Sequence, residues 1–131
     1  MILGIGTDII EIRHFQDVIQ KTPHLLERVF CFSELDSGRK LPPKKQLAFF
    51  AKRFAAKEAV SKACGTGIGM DIGWQDIEIF NNKKGGPYVV LSPNALSFLQ
   101  QKFSVSNPEI LLSLSDESSC AIAFATLIEK K

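Results

Sequence analysis

The sequence predicts an α+β fold, an antiparallel sheet with packed helices. Three features carry that expectation: an apolar strand-like run at each end of the chain, a long helical stretch in the middle, and two pairs of β-rich runs each joined by a turn-forming string. The resulting order β-ααα-ββ-α-ββ suits an antiparallel sheet packed by helices better than a parallel α/β array. Ile2 to Gly6 is apolar throughout and reads as a buried strand. From about Arg13 to Gln20, Phe15, Val18 and Ile19 recur at helical spacing. Thr22-Pro23 has the form of an N-cap followed by proline at the first helical position, and Ser33, with Glu34 and Asp36 behind it, starts another short helix. Pro42-Pro43 breaks the chain before the long helix Lys44 to Cys64, which Gly65 ends. Trp74 to Phe80 and Pro87 to Leu91 flank the turn NNKKGG and form a hairpin. Ser92-Pro93 caps a helix running to about Phe103, and Ile110 to Ser115, the turn DESS and Ala121 to Ile128 make a second hairpin. No repeat, linker or low-complexity segment interrupts this order, so residues 1–131 are expected to form a single domain.

Composition narrows the function classes. With 131 residues, 45% of them hydrophobic, the chain has material for a real core. A formal net charge of +2 is too mild for a duplex-DNA binder, and the ten phenylalanines fall at helical or core spacing instead of alternating with basic residues as a single-strand binder needs. No nucleic-acid partner is expected. Cys31, Cys64 and Cys120 are an odd set without CxxC spacing, which suggests neither a disulfide framework nor a zinc site. The start MILGIGTDIIEI has no basic n-region, and no apolar run approaches the ~18 residues of a membrane span. The expected setting is cytoplasmic, without a membrane partner.

The residues that suggest chemistry lie in the long helix and the first strand. At about 100° per residue, Leu47, Ala51, Phe54 and Ala55 share one side of the helix, and Glu58 and Lys62 fall among them. An i,i+4 ion pair is one reading. A hard divalent cation is another, because it offsets the desolvation of a carboxylate better than one flexible ammonium does. Ala51, Ala55, Ala59 and Ala63 would let another backbone or a ligand come close. On another side Arg53 and Lys57 stand one turn apart, which fits an anion between them or a solvated face with acidic neighbours. Asp8 follows the first strand, where it could cap the next helix or turn toward a site. Two carboxylates with few histidines and no cysteine pair suit Mg²⁺ better than a softer metal. GIGTDI and GTGIG match neither the dinucleotide fingerprint nor a P-loop, although GTGIG offers backbone N–H groups and close approach as well as plain helix termination.

Together GIGTDIIEI, RFAAKEAVSKACGTGIG and WQDIEIFNNKKGGPYVVLS, in that order over nearly the whole chain, resemble the holo-[acyl-carrier-protein] synthases of the 4′-phosphopantetheinyl transferase superfamily. The resemblance implies that superfamily's fold. It also implies transfer of the 4′-phosphopantetheine arm of coenzyme A to a serine of apo acyl carrier protein, with release of adenosine 3′,5′-bisphosphate, in support of fatty acid biosynthesis. On the same ground Asp8 and Glu58 would hold Mg²⁺ on the pyrophosphate and Lys62 would contact it. Arg53 with Lys44 or Lys57 would serve the 3′-phosphate, Gly65 and Thr66 would lie near the nucleotide, and Pro87 would border it from a neighbouring subunit. A metal-bound water is preferred over Glu58 as the base, since a carboxylate ligating Mg²⁺ is a poor one. Larger relatives carry two such lobes with the site between them, so one lobe of this size should build its site between copies, and the resemblance implies a homotrimer with sites between subunits. The apolar run AIAFATLI, which needs cover on both faces, is in keeping with that.

Two further expectations complete the reading. Arg13, Lys21 and Arg28, set around the apolar Phe15, Val18, Leu25 and Leu26, would grip an acidic carrier protein through the first helix. Many relatives have histidine at the end of the strand that here reads LLSLS, but this chain has Asp116, so that contact must be absent or replaced. The rival function is a non-catalytic regulatory protein that binds coenzyme A.

Overall fold

The computed structural model describes residues 1–131. β1 (Ile2–Glu11) leads into α1 (Ile12–Lys21), α2 (Leu25–Val29), α3 (Phe32–Arg39) and the long α4 (Pro43–Ala63). A 3₁₀ turn (Trp74–Asp76) then precedes the hairpin β2 (Ile77–Asn81) and β3 (Pro87–Leu91), followed by α5 (Pro93–Phe103), β4 (Pro108–Asp116) and β5 (Cys120–Glu129). β5 is the central strand of an antiparallel sheet in the order β1-β5-β4, and β2-β3 forms a sheet of its own.

Period-two alternation decides what faces α4. Along β1, Ile5, Thr7 and Ile9 are exposed, whereas Gly4, Gly6, Asp8 and Ile10 turn inward. On β5 the inward residues are Ala121, Ala123, Ala125 and Leu127, all buried. α4 meets them with Ala55, Ala59 and Ala63. Helix and strand come so close that a β-carbon on Gly4 would overlap the carbonyl oxygen of Ala63, and one on Gly6 the carbonyl oxygen of Ala59. A second cluster packs beside it, with Phe15, Phe30, Phe50 and Ala51 fully enclosed. Phe54 lies between Phe15 and Trp74, with ring centroids 5.2 and 4.9 Å away.

Four expectations change. β1 continues past Gly6 to Glu11 because β5 offers a partner all the way, Asp8 standing opposite Ala123 and Glu11 opposite Cys120. Asp8 is therefore neither at a strand end nor a helix cap. Thr22 closes α1, its N–H donated to the Val18 carbonyl, and α2 starts after His24 in a left-handed conformation (φ 60°). The run from Trp74 begins as a turn instead of a strand, since Asp76 accepts from the Gly73 N–H at 2.8 Å and from the Ser92 hydroxyl at 2.6 Å. Phe15, expected on a docking surface, is 1% exposed and belongs to the core. The inferred long helix, the two hairpins and the Ser92 cap stand at nearly their expected places; the Ser92 hydroxyl accepts from Ala95 N–H at 3.1 Å.

Gly6→Ala is expected to lower unfolding stability by about 3 kcal/mol or more, because the obstacle is backbone that cannot rotate away. Urea titration checks it; a change within error would mean that α4 can shift off β1.

Candidate functional site

α4 carries two sets of polar residues on different sides. On the side next to β1, Asp8 projects inward two residues past the close approach at Gly6, and Glu58 and Lys62 come up to it from the helix. The Lys62 ammonium bridges Asp8 Oδ1 at 3.1 Å and also donates to the Thr7 carbonyl at 3.1 Å. The i,i+4 pairing of Glu58 with Lys62 is thus replaced by a pairing across to the strand. The Asp8 side chain is 19% exposed and that of Lys62 50%, so the pair opens to solvent at its basic end. Burial, and then the charge of Asp8, push the Glu58 carboxyl above its ordinary value, with Lys62 pulling the other way.

Two adjacent carboxylates, one of them costly to ionise, are a donor set for a hard cation. No third histidine, cysteine, aspartate or glutamate joins them. Such a set fits Mg²⁺, which keeps several positions for water and phosphate oxygens, and does not fit a zinc site or an all-protein calcium cage.

On the far side of α4 stand Arg53 and Lys57. Lys57 is completely enclosed, and its ammonium donates to Glu34 Oε1 (2.8 Å), the Val29 carbonyl (2.9 Å) and the Trp74 carbonyl (3.0 Å). All three of its protons are engaged, which corrects its candidacy for a phosphate contact. Its role is structural, and removing one partner of such a pair typically costs about 3–5 kcal/mol. Arg53 is different. Only 5% exposed, it stacks on Phe49 and donates from Nη2 to Asn81 Oδ1 at 2.8 Å, but its Nε has no partner. Burial pushes its guanidinium down to about 10, against the pull of Glu34, which leaves it charged at neutral pH. It lines a cleft with Ser33, Ser37, Phe49, Phe80 and Asn81. Five residues of helix separate Arg53 from Glu58, about 140° of rotation, so one chain turns them to different sides.

The profile of the 4′-phosphopantetheinyl transferase superfamily matches residues 4–123. A holo-[acyl-carrier-protein] synthase from Pelagibacter ubique is 39% identical over 130 residues, 98% of either chain.

The chain belongs to the holo-[acyl-carrier-protein] synthase family of that superfamily.

Solved structures agree. The family member from Bacillus anthracis, in complex with CoA (3′,5′-ADP), matches with a TM-score of 0.80 at 35% identity, covering 97% of this chain and 96% of its own. The one from Neisseria meningitidis matches with a TM-score of 0.83 at 33% identity, covering 98% and 99%.

Within this family fold the remaining candidates fall at the margins of the two sets. Gly65, with φ 78°, and Thr66 follow Lys62 at the end of α4. Their N–H groups, and that of Gly67, are donated back to the carbonyls of Lys62 and Ser61, so this loop terminates the helix and is no anion cradle. Pro87 pairs with Asn81 at the end of the hairpin, beside Arg53. Lys44 lies exposed in the first turn of α4 and lines a cleft with Lys45, Lys52 and Asp116. Asp116 bridges Lys52 at 3.3 Å. Arg13, Lys21 and Arg28 are exposed on α1 and α2. Sequence reasoning missed the partners Glu34, Asn81 and Lys52; only Glu34 had a local signal, accepting from the Cys31 N–H three residues back at 2.8 Å as a residue at the third helical position does.

Because the folded Glu58 holds its proton to higher pH than an unfolded chain would, ionising it lowers stability as pH rises from 4.5 through the raised value, and the loss persists above it. Glu58→Gln should therefore melt at a higher temperature than the wild type at about pH 7.5 without divalent metal, the gap closing below the ordinary value of 4.5. A lower melting temperature would mean that Glu58 is held by a partner.

Proposed function

We propose that this chain transfers the 4′-phosphopantetheine group of coenzyme A to a serine of apo acyl carrier protein, with Mg²⁺, releasing adenosine 3′,5′-bisphosphate in support of fatty acid biosynthesis. The observation that carries the reading is the meeting of Asp8, Glu58 and Lys62 on one side of α4 in a member of this family. In the transfer the serine oxygen attacks the phosphorus that bears the pantetheine arm. The bond from that phosphorus to the bridging oxygen breaks, adenosine 3′,5′-bisphosphate departs with the electron pair, and the serine proton is released. Such a reaction requires placement and charge neutralisation more than covalent help from the protein. Asp8 and Glu58 would hold Mg²⁺, which neutralises charge on the pyrophosphate. Lys62, half exposed and already aligned by Asp8 and the Thr7 carbonyl, would place its ammonium on a phosphate oxygen.

Arg53 suits the 3′-phosphate. Two cations, Arg53 and Lys57, adjoin a single enclosed carboxylate, Glu34, so a net positive charge and an unpartnered Nε remain for an anion. Pro87 at the turn end of the hairpin borders the same side, and Lys44 could reach in from the start of α4. Since Arg53 and Glu58 face apart, a single coenzyme A would use Glu58 of one copy and Arg53 of the next, and the whole chain would act as one domain in a homotrimer. The outer face of the sheet favours such assembly: Ile5, Ile9, Leu111, Ile122 and Phe124 are 42–64% exposed on it. The carrier, an acidic partner in this proposal, would dock on Arg13, Lys21 and Arg28. No helix is long and apolar enough to cross a membrane, and with three free cysteines we place the reaction in the cytoplasm.

The test is to incubate the chain with coenzyme A, Mg²⁺ and apo carrier and weigh the carrier. The carrier should gain the mass of one phosphopantetheine; binding of coenzyme A without any gain would favour the regulatory alternative. Glu58→Gln and Asp8→Asn should each need far more Mg²⁺ to approach their maximum rate, with non-additive losses when combined. A wild-type Mg²⁺ curve in both would sink the metal assignment.

A further inference from the structure

Glu34 and Lys57 form an ion pair whose side chains are 0% exposed, and no step of the transfer uses either. Beyond each other, their bonds reach four separate places. Glu34 Oε1 accepts from the Cys31 N–H and from Lys57, both at 2.8 Å, and Oε2 accepts from the Ile79 N–H at 2.9 Å. Lys57 continues to the end of α2 at Val29 and to the 3₁₀ turn at Trp74.

The grip on Ile79 matters because of where it falls. The β2-β3 hairpin is a sheet apart, not hydrogen-bonded to β1-β5-β4. Ile77, Ile79 and Leu91 bury it on the core, but apolar burial is non-directional and leaves its orientation to polar contacts. Glu34 supplies one, binding β2 two residues before Asn81, which accepts from Arg53 and stands opposite Pro87. The same carboxylate is bonded through Lys57 to α4, one residue from Glu58. It is therefore a strut between α4, which carries Glu58 and Arg53, and the hairpin whose Phe80 and Asn81 line the cleft opposite Arg53.

We propose that Glu34 is a positioning residue for coenzyme A, holding the hairpin at the angle and distance from α4 at which Arg53, Asn81 and Pro87 meet the 3′-phosphate end. This rests on the reading of Arg53 given above.

Glu34→Asp keeps a counter-ion for Lys57 but withdraws the carboxylate by one methylene, out of reach of either Lys57 or the Ile79 N–H. Glu34→Gln combined with Lys57→Met removes both charges together, a replacement that buried pairs commonly tolerate. Melting temperature and assembly state are recorded beside the kinetics. At least one variant should fold, with KM for coenzyme A raised about tenfold or more, KM for carrier unchanged, and a smaller preference for coenzyme A over its dephospho form. A folded variant with wild-type KM and wild-type preference would overturn the proposal, and so would failure of both to fold, which would make Glu34 a folding residue alone. Arg53→Ala in the same assay separates the two readings: if its preference for coenzyme A is intact, the assignment of Arg53 fails whatever Glu34 does.

Discussion

The close seat of α4 on β1 is the constraint from which the site follows. Nothing larger than hydrogen separates the strand backbone from the helix at Gly4 and Gly6, and alanines line the helix where it meets β1 and β5. With the backbones that near, the next inward residue of the strand, Asp8, comes alongside Glu58 and Lys62. A longer side chain at either glycine would separate the carboxylates. Burial and the neighbouring Asp8 make Glu58 costly to ionise, a cost that a bound cation would offset. Packing and chemistry are thus one arrangement, and the helix cannot slide along the strand without undoing both.

α4 works as a two-sided support. Its β1 side carries Glu58 and Lys62, the groups proposed to serve a metal and a phosphate; its other side holds Arg53 over Phe49 and Lys57 within the core. The two sides are joined by a single rigid helix of 21 residues. In the proposed reading they serve one substrate when a second copy brings its opposite side into register, which would tie catalysis to assembly. The exposed isoleucines and Phe124 on the outer face of the sheet would supply apolar surface for that proposed assembly.

Much of this was legible in the sequence, and the limits have physical causes. The long helix, both hairpins and the Ser92 cap follow from periodicity and turn chemistry, which act over a few residues. Asp8 and Glu58 could be singled out because carboxylates among apolar neighbours need a reason. The length of β1 was not legible, since its second half alternates less clearly and is extended by β5 from the other end of the chain. Lys57 misled because one turn of helix separates it from Arg53, while its partner Glu34 lies 23 residues away. Arg53 and Glu58 share a motif but not a side, a matter of helical phase that becomes decisive only once the surroundings of α4 are known. The bridge from Asp116 to Lys52 joins β4 to α4 and had no local signature.

The central claim is that one chain holds two half-sites that different copies complete. Mixing tests it most directly: chains carrying Glu58→Gln are unfolded and refolded together with chains carrying Arg53→Ala, and transfer is measured at limiting coenzyme A. Mixed assemblies contain interfaces where an intact Glu58 meets an intact Arg53, so the mixture should exceed the average of the two variants refolded alone. A rate equal to that average, in assemblies shown to contain both chains, would contradict the account.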